Sequence, residues 1–248
     1  MKKWIYLCGA ACLSLALLTA CGQGQNTPAA GTNEIPEGAE TLTCRVVRED
    51  DGSLLLARID GGKSDVYTAV FRGLEVEEGD LVDVIFSGGI QETYPAQLGE
   101  VLQVTVRQEG FDDLCDLYLE VLDDLMEEDR ALALGITQLG LDLSKTRLTP
   151  AERSAVALAL GEEENLPVVE GTWQELVDQG YINGEELIWE DGLFLSIEEK
   201  EKTAENQVTF NAQAWRSGLG ARFFTDCTST RSANGHWSDY KVGAHAVS

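Results

Sequence analysis

Basic side chains are scarce: 18 Lys and Arg stand against 43 Asp and Glu, a net charge of -25 over 248 residues. So acidic a chain repels phosphate backbones and anionic headgroups, which excludes nucleic acid as a partner and leaves membrane attachment to something other than charge. Histidine is nearly absent. His236 and His245 have no cysteine, carboxylate or third imidazole at ligand spacing, so each reads as a surface or strand-pairing residue and no metal site is expected. Missing as well are His-Glu-x-x-His, Gly-x-Ser-x-Gly and Cys-x-x-Cys, and with them the zinc-protease helix, the nucleophile elbow and the redox dithiol. The acidic runs Asp123-Asp124 and Glu162-Glu163-Glu164 lack the alternating oxygen ligands and central glycine of a calcium loop and read as solvated helix faces. No cofactor is expected.

Long apolar runs are also absent, with one exception. After Met1-Lys2-Lys3, residues Trp4 to Leu18 are almost all apolar or small, too short for a permanent span of about 20 residues but suited to an export signal. The run ends Leu18-Thr19-Ala20-Cys21-Gly22, which resembles the bacterial lipobox, where a peptidase cuts before a cysteine carrying diacylglycerol. The resemblance implies a signal peptide over residues 1–20, lipid on Cys21, and a lipoprotein held at the extracytoplasmic face of the cell membrane. Residues 21–40 carry one large apolar side chain, Ile35, and read as a flexible tether reaching about 24 Å.

Beyond Cys21 the cysteines are Cys44, Cys115 and Cys227, enough for at most one internal disulfide. Cys44 alternates with Leu42 and Val46, and Cys115 shares a helical face with Tyr118 and Leu122, so both read as buried thiols.

The remainder divides by period. Thr41 to Val47, Leu54 to Ile59, Val66 to Phe71, Leu81 to Phe86 and Glu100 to Arg107 read as five strands, with Asp51-Gly52 and Gly61-Gly62 as turns. The pattern predicts a small barrel over residues 41–109. Gly79-Asp80-Leu81-Val82-Asp83-Val84 and Glu92-Thr93-Tyr94-Pro95-Ala96-Gln97 resemble the YobA-like domains of unknown function in small Gram-positive lipoproteins, which implies an OB-like barrel and brings no activity. Oligonucleotide binding, a common use of that fold, needs a basic groove with stacking aromatics, and residues 41–110 carry 13 acidic and 6 basic side chains. Tyr94-Pro95 reads as a turn.

From Gly110 the period becomes helical. Leu114, Tyr118, Val121, Leu122 and Leu125 form one apolar stripe; Thr149-Pro150-Ala151-Glu152 and Thr172-Trp173-Gln174-Glu175 are capping boxes opening helices that end at Gly161 and Gly180. Glu190-Asp191-Gly192 and Ser232-Ala233-Asn234-Gly235 read as hairpin turns. Residues 110–248 are therefore expected to be an α+β domain, helices followed by a curved antiparallel sheet. The stretch Trp215-Arg216-Ser217-Gly218-Leu219-Gly220-Ala221 and the tail Gly243 to Ser248 look like the second domain of uncharacterised lipoproteins from gut clostridia.

For function, Trp215, Arg216 and Arg222 are the candidate ligand pocket, an aromatic wall beside two guanidiniums; Gly218-Leu219-Gly220 reads as a strand bend rather than a phosphate loop. The expectation is a non-enzymatic lipoprotein binding an envelope protein or a small extracellular ligand. The alternative is an extracytoplasmic hydrolase whose carboxylates do not stand out among so many.

Overall fold

A computed structural model describes residues 35–73, 75–128, 130–200, 204 and 206–248; the expected signal peptide and Cys21 lie outside the described residues. The first five strands are β1 (Glu40–Asp50), β2 (Ser53–Arg58), β3 (Val66–Val70), β4 (Leu81–Gln91) and β5 (Ala96–Val106). They close in the order β1-β2-β3-β5-β4, with β4 returning to β1 and the one parallel pair, β3 with β5, completing the OB-like barrel. Asp51 and Gly52 both take positive φ, 45° and 82°, the conformation a two-residue hairpin turn demands. Alternate residues point inward, so Cys44, Val46, Leu56, Val82, Val84 and Phe86 are completely buried inside the barrel. β4 and β5 run further than the sequence pattern suggests, past a bulge between Ser87 and Ile90 to a turn at Tyr94-Pro95, whose peptide bond is cis.

The second part comprises α1 (Leu114–Glu128), β6 (Gln138–Lys145), α2 (Pro150–Glu164), β7 (Val168–Glu170), α3 (Trp173–Asp178), β8 (Gly192–Glu199), β9 (Gln207–Ser217), β10 (Gly220–Arg231), β11 (Trp237–Lys241) and β12 (Ala244–Val247). Seven strands form one sheet in the order β11-β10-β9-β8-β6-β7, with β12 also on β10. The architecture is α+β, but the sheet is mixed: β8 to β12 pair antiparallel, while β6 is parallel to both β7 and β8. Strands β6 and β7 lie between helices, because parallel neighbours need a crossover long enough to return the chain, and α2 and α3 supply it. Glu190-Asp191-Gly192 is not a hairpin between strands 187–189 and 193–197. The Trp189 N–H donates to the Arg216 carbonyl instead, and β8 pairs with β6 and β9.

Both capping boxes form as their sequences require, Thr149 with Glu152 and Thr172 with Glu175. The second helix, however, continues past Gly161 to Glu164 and ends at Asn165 in the left-handed conformation. Gly161 is there for space: a Cβ would sit 3.0 Å from the Leu166 carbonyl oxygen and 3.2 Å from Val168 as the chain turns back.

One face of the sheet buries Leu139, Leu141, Leu195, Phe210, Ala212, Ala214 and Phe224 against α1 and α2, in a core that also contains Val47, Leu55, Ala57 and Val66 from the barrel's outer surface. Barrel and sheet thus share a core, and Ile35–Ser248 form one compact unit. The other face is covered by α3 and the segment that follows it, where Leu176, Ile182 and Trp189 meet Phe194 over Gly140. A Cβ on Gly140 would lie 2.7 Å from Leu176 and Trp189, so only glycine lets α3 settle. No helix among the described residues is long and apolar enough to cross a membrane.

Candidate functional site

At the carboxyl end of β6 the chain leaves for α2 on one face of the sheet; at the end of β7 it leaves for α3 on the other. Exits that part in this way leave a crevice outside the strand ends, the place where open α/β sheets hold ligands. Here it is a polar notch of about 200 Å³ lined by Asp142, Ser144, Arg153, Glu170, Thr172 and Glu175, with Lys63 reaching in from the barrel's β2–β3 loop. Beyond Glu170 the crevice opens into a larger, more apolar trough of about 480 Å³, walled by Tyr94 of the barrel, Leu158 of α2, and Leu166, Pro167 and Val168 before and on β7.

Glu170 is the hinge of the two cavities. The buried Ser154 hydroxyl lies 2.8 and 2.9 Å from its carboxylate oxygens, and Lys63 Nζ lies 3.8 Å away. The Arg153 guanidinium donates to the Ser144 carbonyl at 3.2 Å, and the Ser144 N–H to Asp142 at 2.8 Å. Glu175 caps α3; the Thr172 N–H and hydroxyl hold its carboxyl below the ordinary range. Tyr94 is half exposed, and partial burial raises its phenol. The notch therefore offers charges of both signs in fixed positions, and the trough offers an apolar wall with one phenol.

The carboxylates whose pKa is raised lie elsewhere. Burial, then repulsion from neighbouring acids, lifts Asp116, Glu120, Asp123 and Asp124 on α1 and Glu164 at the end of α2. None of these lines the crevice.

The residues expected from sequence are not brought together. Trp215 faces α3, its ring edge-on to Trp173 at 6.0 Å, whereas Arg216 and Arg222 lie on the opposite face of the sheet. Arg216 donates to the carbonyls of Leu132, Leu134 and Glu190, and Arg222 pairs with Glu128 at 3.3 Å. Around Arg216 three exposed leucines, Leu134, Leu187 and Leu219, stand on separate loops. Gly218-Leu219-Gly220 forms the β9–β10 turn, with a register shift after Gly220. Cys44, Cys115 and Cys227 are buried free thiols, with Cys44 pushed by burial up to about 12 and Cys227 to about 11.

Each histidine meets a carboxylate from a distant segment, a pairing that local spacing did not signal. His236 Nδ1 lies 3.0 Å from Asp113, and His245 Nδ1 3.7 Å from Glu128. No group of three or more His, Cys, Asp or Glu among the described residues is arranged to hold a metal ion. The cleft residues themselves were missed because Lys63, Tyr94, Arg153 and Glu170 come from four separate segments. The usable signal was the leucine alternation at 139, 141 and 143 before the Thr149 cap, a strand-helix-strand pattern that would have placed attention on the strand ends. Comparison with known protein families, with curated proteins and with solved structures finds no match to this chain.

Proposed function

We propose that the chain is a lipid-anchored, extracytoplasmic, non-enzymatic binding protein, attached to the membrane through Cys21 and taking a small extracellular ligand in the Glu170 crevice. One observation carries the choice of binding over hydrolysis: the crevice carboxylates are each held by a hydrogen bond, Glu170 by Ser154, Asp142 by the Ser144 N–H and Glu175 by Thr172, while the acids raised by burial lie on α1 and at the end of α2, outside the crevice lining. A notch with both charge signs opening into an apolar trough suits a ligand with a polar, charged head and an apolar body, such as an amino acid or short peptide. A thermal-shift screen of amino acids and dipeptides tests it. A ligand present at 100 times its Kd stabilises the fold by about 2.7 kcal/mol, and Glu170→Ala should abolish that gain. Turnover of the ligand, or full binding by Glu170→Ala, would sink the reading. Anchoring is tested separately, since Cys21→Ser should end fatty-acid labelling and release the chain from membranes. An envelope protein is the second partner class, favoured by the three leucines around Arg216; photo-crosslinking from position 219 in intact cells would capture it, and the Glu170 site would then be secondary.

A further inference from the structure

Beyond α3 and the segment after it, the outward face of the seven-stranded sheet is open among the described residues and poor in charge. Along β9 every outward position is neutral: Gln207, Thr209, Asn211, Gln213 and Trp215 alternate with the buried Val208, Phe210, Ala212 and Ala214. In a chain carrying 43 acidic residues, the four successive outward positions beyond α3, Gln207, Thr209, Asn211 and Gln213, carry no charge. A face exposed to water only for solubility is ordinarily given charge, as α1 is here.

The strand register sets these side chains in rows. Gly140, Phe194, Trp215 and Ala221 form the row beneath α3. Two residues further along, Asp142 pairs with Ser196, Ser196 with Gln213 and Gln213 with Phe223, a row of half-buried side chains across four strands. Strands are about 4.8 Å apart, so the row spans about 14 Å. A third row holds Glu198 beside Asn211. Between the last two rows lies a depression of about 170 Å³, lined by Ser196, Glu198, Asn211, Gln213, Phe223 and Thr225. The half-buried Gln213 amide and Ser196 hydroxyl make no side-chain hydrogen bond among the described residues. Phe223 and the Trp173–Trp215 pair put partly exposed aromatic rings at the border.

We infer that this open face is a second binding site, separate from the Glu170 trough, and that its ligand is a neutral oligosaccharide. An amide donates and accepts at once, as a sugar hydroxyl does, so Gln213 and the Ser196 hydroxyl can serve a polyhydroxylated ligand in either role, while Asn211, whose Oδ1 accepts from the Asp226 N–H, offers its amide N–H donors. Aromatic rings offer flat apolar surface to the C–H face of a pyranose. Asp142 accepts from the Ser144 N–H and Glu198 is paired with Lys145, and among the described residues no Lys or Arg lines the depression to attract a phosphate or sulfate.

The test is titration of the purified full chain with chitotetraose, cellotetraose and maltotetraose, followed by calorimetry and by tryptophan fluorescence. At least one should bind saturably, with an affinity that changes less than about twofold between ~0.05 and ~0.5 M salt, because a neutral ligand gives no charge to screen. Gln213→Leu and Phe223→Ala should each weaken it tenfold or more, while Tyr94→Ala leaves it unchanged. Melting curves of the variants separate lost binding from lost folding, and Ser196→Ala, a smaller change, should still weaken binding severalfold. Saturable binding by none of the three sugars overturns the inference, and so does binding that survives Gln213→Leu and Ser196→Ala. Binding lost with Tyr94→Ala would place the sugar in the trough and leave the open face without a ligand.

Discussion

The barrel and the sheet solve one problem in opposite ways. The barrel closes on itself, so Val46, Leu56, Val82, Val84 and Phe86 have no exposed surface. The sheet cannot close. It buries one face against α1, α2 and the outside of the barrel, and among the described residues receives only the six-residue α3 and the segment after it, with Ile182 and Trp189, on the other. Both candidate ligand surfaces follow from that incompleteness, the crevice where α2 and α3 part and the face α3 fails to cover. Closed architecture supplies stability here, and the open one supplies surface.

The comparison breaks most violently if the sheet is cut. A chain ending at Asn206 loses β9 to β12 and with them Phe210, Ala212, Ala214, Phe224, Cys227 and Trp237 from the shared core. Burial of such large side chains contributes roughly 1.5 to 3 kcal/mol each, more than a domain stable by about 5 to 15 kcal/mol can lose. We expect aggregation or strong binding of a hydrophobic dye; a soluble monomer with a cooperative melt would show that the C-terminal strands are an appendage.

A subtler break is Phe210→Ala against Phe86→Ala. Each should cost about 3 to 5 kcal/mol. Because the barrel lends Val47, Leu55, Ala57 and Val66 to the core around Phe210, its amides should lose hydrogen-exchange protection in both variants. Barrel protection unchanged in Phe210→Ala would mean that the two parts unfold separately.

Next in size is the response to acid. On α1 the carboxyls of Asp116, Glu120, Asp123 and Asp124 are raised above their unfolded values, so their ionisation opposes folding, and protonating them as pH falls toward about 4 relieves it. Asp83 in the barrel behaves oppositely. Arg107, then Thr43, hold its carboxyl below the unfolded value, so its contribution is present above about 3.9 and is lost as pH falls below that. The melting temperature should therefore rise on mild acidification from neutrality and fall again in stronger acid. A monotonic fall from pH 7 would contradict the sign. Asp83→Asn, a half-exposed pair worth under about 1 kcal/mol, should shallow only the lower limb.

How far the sequence disclosed this depended on distance along the chain. All five barrel strands were legible because four of their pairings are between antiparallel runs marked by inward alternation, and Asp51-Gly52 names its own turn. The helices at Thr149 and Thr172 were legible because a capping box is complete within four residues. β6 and β7 were not, since their partners come from across a helix and β7 is three residues long. Trp215 and Arg216 show a different failure. Adjacent residues on a strand point to opposite faces, so once residues 207–217 are a strand they cannot wall the same pocket. The Glu170 crevice, assembled from residues 63, 94, 153 and 170, has no local pattern to read.

Arg216 has one more consequence. The stretches 131–137 and 183–191 contain no strand or helix longer than an isolated bridge, yet one guanidinium spans them by holding the carbonyls of Leu132, Leu134 and Glu190. Their opening is then a single event rather than two, a small foldon whose latch is a side chain. Lysine replaces the two guanidinium nitrogens, one on Leu132 and Leu134 and the other on Glu190, with a single ammonium on a flexible stem, so Arg216→Lys should accelerate exchange in both stretches together while leaving the strands between them slow.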